Sequence, residues 1–82
     1  MTATVNGREW HFRVRPARGG GFIAWAAQTP DLGDGPSDVP DGEVVYFLLE
    51  ETEQEALQRL QDDVKRETGA EWLKVITHPA RR

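Results

Sequence analysis

The chain has 82 residues, 38% of them hydrophobic and 29% charged, with a net charge of −4 and no cysteine. That length makes one domain, which buries about 60% of its unfolded surface and is marginally stable alone. Without thiols there is no disulfide framework, cysteine zinc site or cysteine nucleophile. No apolar run approaches the ~20 residues of a membrane-spanning helix and no secretory leader is legible, so a cytoplasmic protein without a membrane partner is expected.

The charge is unevenly spread. Residues 1–29 carry Arg8, Arg13, Arg15 and Arg18 against Glu9, a net of +3. Residues 30–63 carry eleven acids against Arg59, a net of −10, and residues 64–82 return to +3. A sequence pI near 5.0 argues against general nucleic-acid binding. A local basic face stays open.

Asn6-Gly7 lies between two β-prone runs. A two-residue type I′ turn needs positive φ twice, which Asn-Gly supplies, so a hairpin is expected with Val5 opposite Arg8, Ala3 opposite Trp10 and Met1 opposite Phe12. From Trp10 to Arg15 the residues alternate: Trp10, Phe12 and Val14 on one face, His11, Arg13 and Arg15 on the other. Pro16 to Gly21 reads as a loop tipped by three glycines, and Phe22 to Ala27 as the next antiparallel strand. Pairing Arg15 with Phe22 would put Trp10, Phe12, Val14, Ile23 and Trp25 on one core face; a one-residue slip would exchange the faces of the second strand.

Residues 29–42 hold four Asp, three Pro and three Gly and read as a long structureless loop. Glu43 to Leu49 is β-branched and aromatic and reads as a strand buried on both faces. Thr52-Glu53-Gln54-Glu55 is a capping box, and Ala56, Leu57, Leu60 and Val64 form one narrow apolar stripe behind it. Acids fill the first turn of this helix, and Lys65 and Arg66 the last. Glu55–Arg59 and Asp62–Arg66 are spaced as i,i+4 pairs, and Gly69 suits the residue after the helix. Trp72 to His78 reads as a last strand ended by Pro79, with Trp72 against the end of the helix. The fold class expected is α+β: an antiparallel sheet of four to five strands packed against one helix, in the order ββββαβ. One narrow stripe covers one sheet face only. The apolar surface left over implies a homodimer or higher oligomer, with Val45, Phe47 and Leu49 as its interface.

No motif points to a reaction. Gly19-Gly20-Gly21 lacks the Lys-Ser/Thr of a phosphate loop and precedes a strand. Asp31, Asp34, Asp38 and Asp41 do not match the spacing of a calcium loop and read as a solvated loop. His11 and His78 are the only histidines, too few for a closed zinc site, and no nucleophile–base set accompanies them. No catalytic residue, metal ligand or cofactor is therefore assigned, and the chain is not read as an enzyme. His11, Arg13 and Arg15 form a basic stripe, with Arg18 beyond and Phe22 beside it, that could hold single-stranded nucleic acid by attraction and stacking.

Three segments in order, Gly19-Gly20-Gly21-Phe22-Ile23-Ala24, Thr29-Pro30-Asp31-Leu32 and Glu51-Thr52-Glu53-Gln54-Glu55-Ala56-Leu57, resemble the HicB-like antitoxin domain. The resemblance covers roughly residues 10–77. It implies a partial RNase H-like sheet with one helix, no nuclease chemistry, and homodimers or higher oligomers. It also implies a partner: a small basic RNA-cleaving toxin of the HicA type, bound and masked. Many relatives add a helix-turn-helix or ribbon-helix-helix domain; DNA binding is not expected of this chain without one. It departs from the family in Gly33-Asp34-Gly35 after Pro-Asp-Leu, in the long loop and in the added N-terminal strand. The expected function is a non-catalytic protein-binding module whose acidic surface, Asp31, Asp34, Asp38 and Asp41 with Glu51 and Glu53, meets the basic partner. The alternatives are a small nucleic-acid binder using His11, Arg13, Arg15 and Arg18, or an orphan domain of this fold that only oligomerises.

Overall fold

A computed structural model describes residues 1–67 together with the backbone of 70–73. It shows an α+β fold: strands β1 (Thr2–Val5), β2 (Arg8–Pro16), β3 (Phe22–Ala27) and β4 (Val44–Glu50), helix α1 (Glu53–Arg66), and strand β5 (Ala70–Leu73). The strands form one antiparallel sheet in the order β1-β2-β3-β4-β5. Of the expected last strand, residues 74–78 lie outside the described residues.

The first hairpin is the one the sequence demands. Asn6 and Gly7 both take positive φ, +53° and +80°, and Val5 faces Arg8 across the turn. The pairing runs on to the N-terminus, where Phe12 N–H donates to Met1 O at 2.7 Å and the Met1 amine to Phe12 O at 3.1 Å. The glycine tip also behaves as read: Gly19, Gly20 and Gly21 are all left-handed, and Ala17 N–H donates to Gly21 O across the turn. Gly21 also lies so close to the end of β4 that a Cβ there would sit 2.8 Å from the Glu50 carbonyl oxygen.

The register between β2 and β3 corrects the expectation by one residue. Arg15 pairs with Ile23, not Phe22, and Phe12 with Ala26. Side chains alternate along a strand, so this slip turns Ile23 and Trp25 onto the face of His11, Arg13 and Arg15. The helix face is built from Trp10, Phe12, Ala24, Ala26 and Tyr46, on which Ala56, Leu60 and Val64 of α1 pack. Trp10 and Tyr46 meet edge-to-face with ring centroids 5.6 Å apart.

Helix α1 starts as its capping box prescribes, with Glu55 N–H donating to the Thr52 hydroxyl at 3.1 Å. The Glu55 carboxylate accepts the Thr52 hydroxyl proton at 3.1 Å instead of reaching the backbone. Arg59 ignores Glu55 and pairs with Glu50 at 2.9 Å, which ties the helix to the end of β4. The helix closes on a left-handed Glu67, φ +56°, whose N–H reaches the Asp63 and Val64 carbonyls; Gly69 lies outside the described residues, and so do the side-chain surroundings of Trp72.

The second sheet face is not left bare. Residues 28–43 cross it as a strap containing a single 3-10 turn, Pro36–Asp38. Leu32 and Val39 are buried there with Trp25, Ala27 and Val45, and Ile23 and Phe47 border them. The chain therefore has two small cores, one on each side of the sheet. A long loop rich in Asp, Pro and Gly supplies the lid of the second. This corrects the expectation of a structureless, solvated loop.

Candidate partner-binding surface

The strap decides what the far face of the sheet can offer. Trp25 is fully buried, and its indole Nε1–H donates to the Leu32 carbonyl at 2.8 Å. That bond satisfies the one polar atom of the ring inside an apolar site. Thr29 Oγ1 accepts the Asp31 N–H, and the Asp38 carboxylate accepts the Asp34 N–H at 2.9 Å. Gly33 takes φ +64° with the Asp38 side chain against its Cα, so a Cβ has no room there. Asp38 thus folds the strap upon itself, while the side chains of Asp31, Asp34 and Asp41 lie at the surface.

Arg15 clamps the strap from below. Its Nη1 donates to the Asp34 carbonyl at 2.8 Å. Arg15, Ile23 and Leu49 occupy one row across β2, β3 and β4. The clamp therefore brings Asp34 to the end of the sheet where β4 turns out into Glu50, Glu51 and the helix. Of the expected acidic surface, only Asp34 is drawn in this way toward the end of the sheet that leads into Glu51 and Glu53; Asp41 lies three residues before the start of β4, at the other end of that strand. Both glutamates are exposed.

Of the three residues expected at an oligomer interface, Val45 is a correction. It is 0% exposed, covered within its own chain by Leu32 and Val39. Phe47 is half-buried beside that cluster, and only Leu49 stands out, at 63% exposure. Beside Leu49 an open trough of about 590 Å³ is lined by Gly19, Gly20, Gly21, Glu50 and Glu51. This end of the sheet presents one large aliphatic side chain in a shallow hollow beside Glu51 and the Arg59-paired Glu50.

The basic stripe is less available than alternation suggested. Arg15 is engaged in the clamp, and His11 is half-buried with Nδ1 3.2 Å from the Thr2 hydroxyl. Arg13 and Arg18 remain exposed. The strap with its carboxylates lies on the same side of the sheet, which opposes a phosphate backbone.

A second hollow escaped the sequence reading. A cleft of about 420 Å³ opens between the first hairpin and the end of α1, with Trp10, Tyr46, Val44 and Val64 at its floor and Arg8 and Glu67 on its rim. No periodicity signals it, because its walls come from four separate elements. Among the described residues no group of His, Asp and Glu is placed to hold a metal ion, and no helix is long and apolar enough to cross a membrane.

Comparison with family models, with curated proteins and with solved structures found no match to this chain.

Proposed function

We propose that this chain is a non-catalytic protein-binding module of the HicB-like kind, which masks a small basic protein through the Leu49 end of its sheet. The observation that carries this reading is Leu49 itself, 63% exposed and next to exposed Glu51. An apolar anchor surrounded by charge is the anatomy of a protein interface. The carboxylates would steer a partner rich in Lys and Arg and set its orientation, while burial of Leu49 would slow its release. A HicA-type toxin fits that description: basic, small, and inactivated by being covered. No catalytic residue or cofactor enters this reading.

The test is co-expression with the product of the neighbouring short reading frame. The wild-type chain should restore growth and co-purify with that product. Leu49→Asp should abolish both while the chain keeps its thermal melt. A toxic neighbour that the wild-type chain neither binds nor neutralises, or a gene with no such neighbour, refutes the proposal. Nucleic-acid binding, the rival reading, rests on Arg13 and Arg18. It requires retention of RNA or single-stranded DNA at low salt that Arg13→Ala weakens.

A further inference from the structure

β1 lies at the end of the sheet, and among the described residues no strand pairs with its outer side. Met1 and Phe12 exchange both of their backbone hydrogen bonds. Such pairs alternate along an antiparallel ladder, so Met1, Ala3 and Val5 turn their backbone groups inward to β2. The two-residue turn at Asn6-Gly7 imposes the same phase from the other end, since Val5 and Arg8 close it. Thr2 and Thr4 therefore point their N–H and C=O groups away from the sheet. No described residue pairs with these four groups.

Sheet edges are ordinarily blunted by charge, proline or a bulge. Thr2-Ala3-Thr4-Val5 has no charge and no proline, and its pairing with β2 runs unbroken over four residues. The edge is also tied at both ends. Asn6 Nδ2 donates to the Lys65 carbonyl at 2.8 Å at one end, and the Met1–Phe12 pair holds the other. Most of this chain would repel a copy of itself, given its strongly acidic centre. The flank of β1 would not: Gln58, Gln61, Asp62 and Lys65 line the hollow along it, one acid against one base.

We infer that two copies of this chain pair through their β1 edges, antiparallel, about a two-fold axis at Ala3. In that register Thr2 faces the partner subunit's Thr4, and Thr4 the partner subunit's Thr2. Every outward backbone group of both copies is then used, in four interchain hydrogen bonds. Threonines directly opposite each other on antiparallel strands also favour the pairing. The contact is self-complementary, as a closed dimer requires, and it joins the two sheets into one with both helices on the same face. It leaves Leu49 free, three strands away, and does not depend on the function proposed above.

The test is sedimentation equilibrium of the full chain from micromolar to millimolar concentration, with hydrogen exchange at the Thr2 and Thr4 amides. A dimer is expected, with both amides protected when it forms and unprotected on dilution. Thr4→Pro removes an outward donor from each copy and none from the β1–β2 ladder, whose donors are Ala3 and Val5. Losing two of four bonds should raise the dissociation constant by about ten- to a hundredfold. Thr4→Val keeps the backbone and should remain dimeric. A chain that stays monomeric at millimolar concentration overturns the inference. So does a dimer that Thr4→Pro leaves intact, one whose Thr4 amide exchanges freely, or an edge that pairs only with a strand of another protein.

Discussion

Leu32→Ala tests whether the strap is part of the folded core. Leu32 is 5% exposed and belongs to a cluster that includes Trp25, Val39 and Val45. Truncating a buried leucine costs about 2–5 kcal/mol, the spread reflecting how far the site collapses. The strap is anchored mainly by Leu32, Val39 and the Arg15 clamp, so it can relax, and about 2–3 kcal/mol is the expected loss. A domain of this length has a total stability of about 4–12 kcal/mol, so the effect is a large share of it. With a urea m-value near 1 kcal/mol/M, the unfolding midpoint should fall by about 2–3 M. The assay is urea unfolding followed by tryptophan fluorescence and by far-ultraviolet circular dichroism. Protomer concentration is held fixed, because any self-association adds stability by mass action. The two probes should move together, since Trp25 sits under the strap and in the middle of the sheet. Asp31→Asn, in the same strap but at its surface, should shift the midpoint by less than about 0.5 M. A shift that small for Leu32→Ala would refute the reasoning and return residues 28–43 to the status of a solvated loop.

Gly33→Ala should destabilise the chain by more than about 1 kcal/mol, because it combines a left-handed backbone with a collision against Asp38. A thermal melt reads this, and no change in midpoint would show that the strap can choose another path. Thr52→Ala removes the hydroxyl that accepts the Glu55 N–H and should cost about 1 kcal/mol. Arg59→Gln breaks the pair with Glu50, but the guanidinium side chain is 65% exposed, so the loss should stay below about 1 kcal/mol. Side-by-side melts decide that order, and an Arg59 effect larger than the Thr52 effect would overturn it.

The elements that were legible in the sequence carry their instructions locally. Asn6-Gly7 must take two positive φ angles, and that alone fixes the first hairpin and its register through to Met1 and Phe12. Thr52 and Glu55 fix where the helix starts, and Ala56, Leu60 and Val64 fix which face is buried. The pairing of β2 with β3 has no such instruction. Phe22-Ile23-Ala24-Trp25-Ala26-Ala27 is apolar at every position, so alternation cannot say which residues face the helix. The glycine tip tolerates several loop lengths at little cost. Packing decides instead: the small Ala24 and Ala26 lie under α1, while the bulk of Trp25 fills the space beneath the strap.

The strap was illegible for a related reason. Its Asp, Pro and Gly content suits a solvated loop, and its two anchors, Leu32 and Val39, follow neither a helical nor a strand period. They matter only because Trp25 waits below with an indole N–H that needs an acceptor. That dependence also changes the argument for a partner. An incomplete core was reason to expect a second chain over Val45, yet the chain completes that core from its own loop. What the described residues leave open is narrower: the Leu49 end of β4, with an apolar side chain beside Glu50 and Glu51, and the β1 edge, whose outward backbone groups pair with no described residue. The occupant proposed for the first is a basic protein and for the second another copy, because charge complementarity would govern one contact and backbone pairing the other.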